Sequence, residues 1–283
     1  MFKSSFFYKN IPNLFTLLNL LSGAMAIILS FEGRNNLLLA AYFIYIAGVF
    51  DFFDGFAARA LKATSKVGKE LDSLADLVSF GLAPSMILYE LLKNNMQIKQ
   101  FAFSLPFGQV LILMSPLLIA IFSAIRLAKF NVDERQTESF LGLATPACAM
   151  LIASIPLITQ FNPNNLLIFP SLSDNIYFFL GVIFFGAFVT KPVILVPLII
   201  LLATLLVIEM PMFSLKFKSL SFEDNKLKYY FLLVSLLLFL SIQILAVPII
   251  FILYITFSVF NNILNKKLSK RAEQSLDRLF QEN

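Results

Sequence analysis

Long apolar runs limit what this chain can become. Residues 11–31, 37–60, 69–92 and 107–127 each form one, and each is long enough for the roughly 20 residues a helix needs to cross a bilayer. Further runs cover 142–160, 193–210 and 229–263. Only 14% of the 283 residues are charged, against roughly 25% in soluble domains, and mean hydropathy is +0.83. The expectation is an all-α integral membrane protein with little mass outside the bilayer. The net charge of +5 then reads as loop charge at a membrane surface rather than a nucleic-acid-binding face. The first run keeps polar Asn13, Thr16 and Asn19, and no A-x-A site follows it, so it reads as a span and not a cleaved leader.

Between the second and third runs lies DFFDGFAARALKATSKVGKELDSLAD, residues 51–76. Carboxylates at the edge of a bilayer are costly unless compensated, which makes them functional candidates. Asp51 and Asp54 are three apart and Asp72 and Asp76 four apart, so on helices each pair shares a face. Two such helices joined by a short basic turn can gather four acids in one place. Their mutual repulsion calls for a cation, and an all-oxygen donor set suits Mg²⁺, Mn²⁺ or Ca²⁺. The chain has no His, so acid–base chemistry falls to carboxylates, Lys or Tyr. Its single cysteine, Cys148, excludes an intramolecular disulfide and sits among apolar neighbours, where a thiol is inert.

The spacing D-x2-D-G-x2-A-R-x8-G-x3-D-x3-D is met by Asp51, Asp54, Gly55, Ala58, Arg59, Gly68, Asp72 and Asp76. It resembles the signature of the CDP-alcohol phosphotransferases, integral membrane enzymes that build phospholipids. The resemblance implies a six-helix core followed here by about two extra C-terminal transmembrane helices. It also implies Asp51, Asp54 and Asp72 as core metal ligands and Asp76 as a further ligand and the general base. With four acids, two Mg²⁺ or Mn²⁺ ions are expected. The donor would be CDP-diacylglycerol, with Asn13 and Thr16 near its nucleotide end. Gly55 and Ala58 would let it approach the helix, Arg59 and Lys66 would meet its phosphates, and Gly68 suits the helix entry. Asn13 and Thr16 also fit plain interhelical hydrogen bonding.

Three stretches outside the signature, IPNLFTLLNLLSG, ELDSLADLVSFGLAPS and SAIRLAKFN followed by GLATPA, resemble the phosphatidylserine synthase branch. That branch implies L-serine as acceptor, with phosphatidylserine and CMP as products. Ser79, Arg126 and Asn131 are the candidates for holding serine. Arg126 has the charge and depth of a carboxylate clamp; it also fits ordinary positive-inside anchoring, and Ser79 fits small-residue packing. Glycerol 3-phosphate or inositol phosphate would be an alternative acceptor, although an acceptor phosphate should demand more Arg and Lys than Arg126 alone. A divalent-cation transporter is an alternative of another class, but its carboxylates should lie near mid-membrane, and it has no evident use for Gly55, Ala58 and Arg59.

The expected organisation is an interfacial arm at 1–10, the phosphotransferase membrane domain at 11–219, a transmembrane hairpin at 220–263 and a basic amphipathic tail at 264–283. Arg59, Lys62, Lys66 and Lys69 cluster at the motif, so positive-inside bias puts it and both termini on the cytoplasmic side. Residue usage suggests an AT-rich bacterium, hence its inner membrane. Loop parity allows one crossing between residues 160 and 212, assigned to 193–210, with 175–190 short or re-entrant. The C-terminal hairpin is expected to hinge near Ala246-Val247-Pro248. Membrane lipids are the expected surroundings. Family members are often homodimers, which adds a second copy of the chain as a candidate partner.

Overall fold

The computed structural model describes residues 2–33, 36–102, 104–132, 140–160, 185–212 and 222–260. Its elements are helical apart from one short strand pairing. Helix α1 (Phe2–Phe31) runs unbroken through the region expected to be a separate arm. It ends before Gly33, whose φ of +102° suits a residue without a side chain just past a helix end. Helix α2 (Asn36–Ala60) returns against α1 in the most extensive pairing of the fold. A turn at 61–65, with Lys62 at φ +50°, leads to Ser65. Its hydroxyl accepts from the Gly68 amide at 2.9 Å and so caps α3 (Lys66–Asp76).

A six-residue π-helical segment, Leu77–Leu82, joins α3 to α4 (Ala83–Asn95), and the three form one span, Lys66–Asn95. The next span, Phe107–Val132, is divided into α5 (Phe107–Met114) and α6 (Leu117–Val132). Pro116 stands at the break, where its missing N–H cannot continue the helix. The core lies where α2, α4 and α7 (Thr145–Thr159) meet. Small residues Ala40, Ala41 and Ala47 of α2 admit Phe80, Ile87 and Leu88, with Cys148, Ala149 and Ile152 of α7 alongside. Tyr45 donates its hydroxyl to the Met150 carbonyl at 2.8 Å, tying α2 to α7.

Helix α8 (Pro192–Val207) packs on α6 and, at 16 residues, is a shorter apolar helix inside the run 193–210 expected as the sixth span. Its exit is tied to the entry of α7 by β1 (Phe140–Leu141) pairing antiparallel with β2 (Pro211–Met212). Gly142 follows at φ +73°, and a Cβ there would lie 2.9 Å from the Ile208 carbonyl oxygen. The entry of α7 and the exit of α8 therefore lie together, as an even number of crossings between them requires. Most of 175–190 and the tail 264–283 lie outside the described residues.

Helix α9 (Phe222–Ile242) is apolar on nearly every face, with Leu232, Leu233, Leu236, Leu237 and Leu240 exposed. Such a helix is made for lipid contact. The helical run Asn225–Phe260 is 36 residues long and holds a strongly apolar window, yet Phe231 meets the rings of Tyr254 and Phe257 at 6.1 and 6.0 Å. The chain is therefore folded back as a hairpin, with α10 (246–260) returning along α9. Its turn is the 3₁₀ segment Gln243–Leu245, with Gln243 at φ +51°, one step before the expected hinge. Pro248 does not mark the break because it sits in the first turn of α10, where a proline costs no helix hydrogen bond.

Candidate active site

The end of α2 and the length of α3 carry the motif, and both pack on α1. Carboxylate oxygens of Asp51, Asp72 and Asp76 lie within 4.8 Å of one another. Asp54, one helical turn from Asp51, is buried beside them but outside that trio. Among the described residues, no Lys or Arg pairs with any of the four. Asp54 Oδ2 and Asp72 Oδ1 are buried with no hydrogen-bond partner. An unpartnered buried polar atom costs about 1–3 kcal/mol, and more when charged. The cluster thus has the donor chemistry and the unmet electrostatic demand of a divalent-cation site.

A cavity of about 520 Å³ opens beside the cluster, within the range of small-molecule sites. Asn13 and Thr16 of α1 line it, with Asp54, Gly55 and Ala58 of α2 and Lys66, Gly68, Lys69 and Asp72 of α3. Two motif glycines have different reasons to be glycine. A Cβ at Gly68 would lie 3.1 Å from Asn13 Oδ1 and 3.0 Å from Ser65 Oγ, so Gly68 permits close approach of α1. At Gly55 the atoms nearest an added Cβ are those of the Arg59 guanidinium on its own helix, 3.4 Å away. Nothing in the protein packing requires glycine there, and a larger side chain would project towards the cavity. Arg59 itself is exposed and does not line the cavity.

Beneath the cavity, Asp76 Oδ1 accepts from Asn19 Nδ2 at 3.1 Å. Ser79 donates its hydroxyl to the Asn19 carbonyl at 2.9 Å. Ser79 also lies against Gly23, where a Cβ would sit 2.6 Å from the Ser79 Cα. Its proton is committed and it is fully buried, so it fastens α1 to the π segment rather than lining the cavity. Helices with a π turn redirect the side chains around it; here the redirection begins immediately after Asp76.

Asn19 was not singled out by the motif. Its signal is the spacing of Asn13, Thr16, Asn19 and Ser22, one polar residue every third position along an apolar helix. Thr16, Asn19 and Ser22 are all buried.

The three residues expected to hold an acceptor have separate hydrogen-bond partners. Arg126 is 7% exposed, donates from Nη1 to Thr145 Oγ1 at 2.7 Å, and its Nε has no partner. Asn131 instead donates from Nδ2 to Ser73 Oγ at 2.9 Å, and its carbonyl accepts from Lys69 Nζ at 3.0 Å. Asn131 therefore latches the end of α6 to α3. Thr145, which fixes the Arg126 fork, belongs to the GLATPA stretch but carried no individual signal in the sequence.

Residues 9–170 match the family model described as CDP-alcohol phosphatidyltransferase. Over 153 residues the chain is 37% identical to the CDP-diacylglycerol--serine O-phosphatidyltransferase of Bacillus subtilis (strain 168), covering 54% of this chain and 77% of that protein. It is also 37% identical over 143 residues to the protein of the same name from Helicobacter pylori (strain J99), covering 50% of this chain and 54% of the relative. The archaetidylserine synthase of Methanothermobacter thermautotrophicus is 33% identical over 149 residues, covering 51% and 56%. The matched segment thus spans about half the length of the latter two.

Proposed function

We propose that this chain, which belongs to the CDP-alcohol phosphatidyltransferase family, transfers the phosphatidyl group of CDP-diacylglycerol to L-serine, giving phosphatidylserine and CMP. One observation carries the reading: the motif acids converge beside a cavity that also receives Gly55, Ala58 and Gly68. Relatives of this chain bear the corresponding synthase name, which favours serine over glycerol 3-phosphate or inositol phosphate.

Asp51, Asp54, Asp72 and Asp76 would hold one or two divalent ions, Mg²⁺ or Mn²⁺. A cation bound there neutralises the pyrophosphate and the charge that develops on the leaving CMP. Asn13, Thr16, Lys66 and Lys69 offer polar contacts for the nucleotide and phosphates, with Arg59 at the outer end of α2. Gly55 and Ala58 keep the α2 face low, so the nucleotide lies close to the helix. Asp76 accepts the proton of the serine hydroxyl, while its bond from Asn19 fixes the carboxylate plane. The serine oxygen then bonds to the β-phosphorus of the donor as the bond to CMP breaks. Arg126 meets the serine carboxylate. With no His, and with Cys148 fully buried, direct attack is favoured over a covalent enzyme intermediate.

The lysines at the motif support a cytoplasmic position for it and for both termini, at a bacterial inner membrane. The acceptor is tested by offering serine, glycerol 3-phosphate and inositol phosphate in parallel to purified protein with CDP-diacylglycerol. CMP release with serine alone is expected. Release only with another alcohol would overturn the assignment of serine.

A further inference from the structure

The last turn of α6 is fastened across one turn of α3. Asn131 Nδ2 donates to Ser73 Oγ at 2.9 Å, and the Ser73 hydroxyl donates in turn to the Lys69 carbonyl at 3.2 Å. The Asn131 carbonyl closes the ring by accepting from Lys69 Nζ at 3.0 Å. Helix α6 ends at Val132, and carbonyls in the last turn of a helix have no partner within it. They also carry the negative end of the helix dipole, which favours an ammonium.

The destination of the Lys69 ammonium bears on Asp72. The two residues are three apart on α3, so they are neighbours on its surface, and both line the cavity of about 520 Å³. A lysine and an aspartate at that spacing are placed to form an ion pair. Among the described residues they form none, and Asp72 Oδ1 is buried with no hydrogen-bond partner. An ammonium seated on Asp72 would have to be displaced before a cation could bind that carboxylate. Seated on a neutral carbonyl, it leaves the carboxylate bare and keeps its own charge at the cavity wall.

We propose that Asn131 is a positioning residue for the metal site. Its bond to Ser73 seats the end of α6 on α3, where the Asn131 carbonyl holds the Lys69 ammonium off Asp72 and leaves that carboxylate free for a divalent ion. This rests on the reading of the aspartate cluster as a metal site.

The test is Mn²⁺ binding to the purified full chain without substrate, read from the electron paramagnetic resonance signal of the free ion. Asn131→Ala and Ser73→Ala each remove the side-chain bond from one side. Each should raise the Mn²⁺ dissociation constant by roughly threefold to fivefold, the cost of displacing one ion pair near the surface. The decisive comparison is a cycle with Lys69→Met. Asn131→Ala should weaken Mn²⁺ binding only while Lys69 is present, so the double variant should bind Mn²⁺ as tightly as Lys69→Met alone. The same cycle on Ser73→Ala serves where Asn131→Ala fails to fold. Lys129→Met, which removes an exposed lysine of α6, should restore nothing in either background. Unchanged Mn²⁺ affinity in Asn131→Ala or in Ser73→Ala would overturn the proposal. So would an equal loss with and without Lys69, which marks a structural role, or restoration by Lys129→Met, which marks a general effect of charge. No Mn²⁺ binding by the unsubstituted protein would overturn this proposal and the metal reading together.

Discussion

Asn19 donates from Nδ2 to Asp76 Oδ1 at 3.1 Å, with both side chains buried between α1 and α3. This bond lets one oxygen of Asp76 be fixed while the other stays open to a proton or a metal. Asn19→Ala removes the donor without adding bulk. We expect kcat to fall by roughly 10–100-fold, the size of a lost hydrogen bond to a charged group, with little change in KM for either substrate. A fall confined to KM would assign Asn19 to binding instead.

The motif glycines separate packing from ligand approach. Gly68→Ala puts a methyl 3.1 Å from Asn13 Oδ1, so Asn13 must give way, and KM for CDP-diacylglycerol should rise several-fold. Gly55→Leu meets no protein atom closer than the flexible Arg59. It should leave the thermal midpoint within a few degrees while abolishing turnover. Thermal unfolding in detergent alongside the assay distinguishes the two outcomes.

Gly142 is a control for the fold rather than the chemistry. Its φ of +73° and the 2.9 Å approach to the Ile208 carbonyl oxygen leave no space for a side chain. Gly142→Ala should destabilise the protein by about 1–3 kcal/mol, read as a lower thermal midpoint. An unchanged midpoint would mean that the β1–β2 tie contributes little.

Much of this architecture was legible because its causes are local. Asp51 and Asp54, and Asp72 and Asp76, recur at helical spacing, which puts each pair on one face of its own helix. The break at Pro116 and the hinge at Gln243–Leu245 were harder, because proline position does not by itself mark a helix end. Pro12, Pro156 and Pro197 all lie inside helices. Asn19 stands outside the motif, and although it shares the polar spacing of Asn13, Thr16 and Ser22, only its partner 57 residues away gives it a role. The hydrogen bonds of Ser79 and Asn131 go to α1 and α3. Such long-range commitments leave no trace in local spacing.

The orientation of the motif can be read with a single thiol. Cys148 is fully buried, so Lys62→Cys, in the exposed α2–α3 turn, would be the one reactive cysteine among the described residues. A membrane-impermeant maleimide should leave it unlabelled in right-side-out vesicles and label it in inside-out vesicles. The reverse pattern would place the motif on the outer face.

In the proposed mechanism the aspartate cluster works through a divalent metal. The most direct measurement is CMP release from CDP-diacylglycerol and serine by purified protein, before and after chelation and on adding back Mg²⁺ or Mn²⁺. Release should be lost on chelation, recover with either ion, and not recover in Asp72→Asn. Full release from chelated, metal-free protein would contradict it.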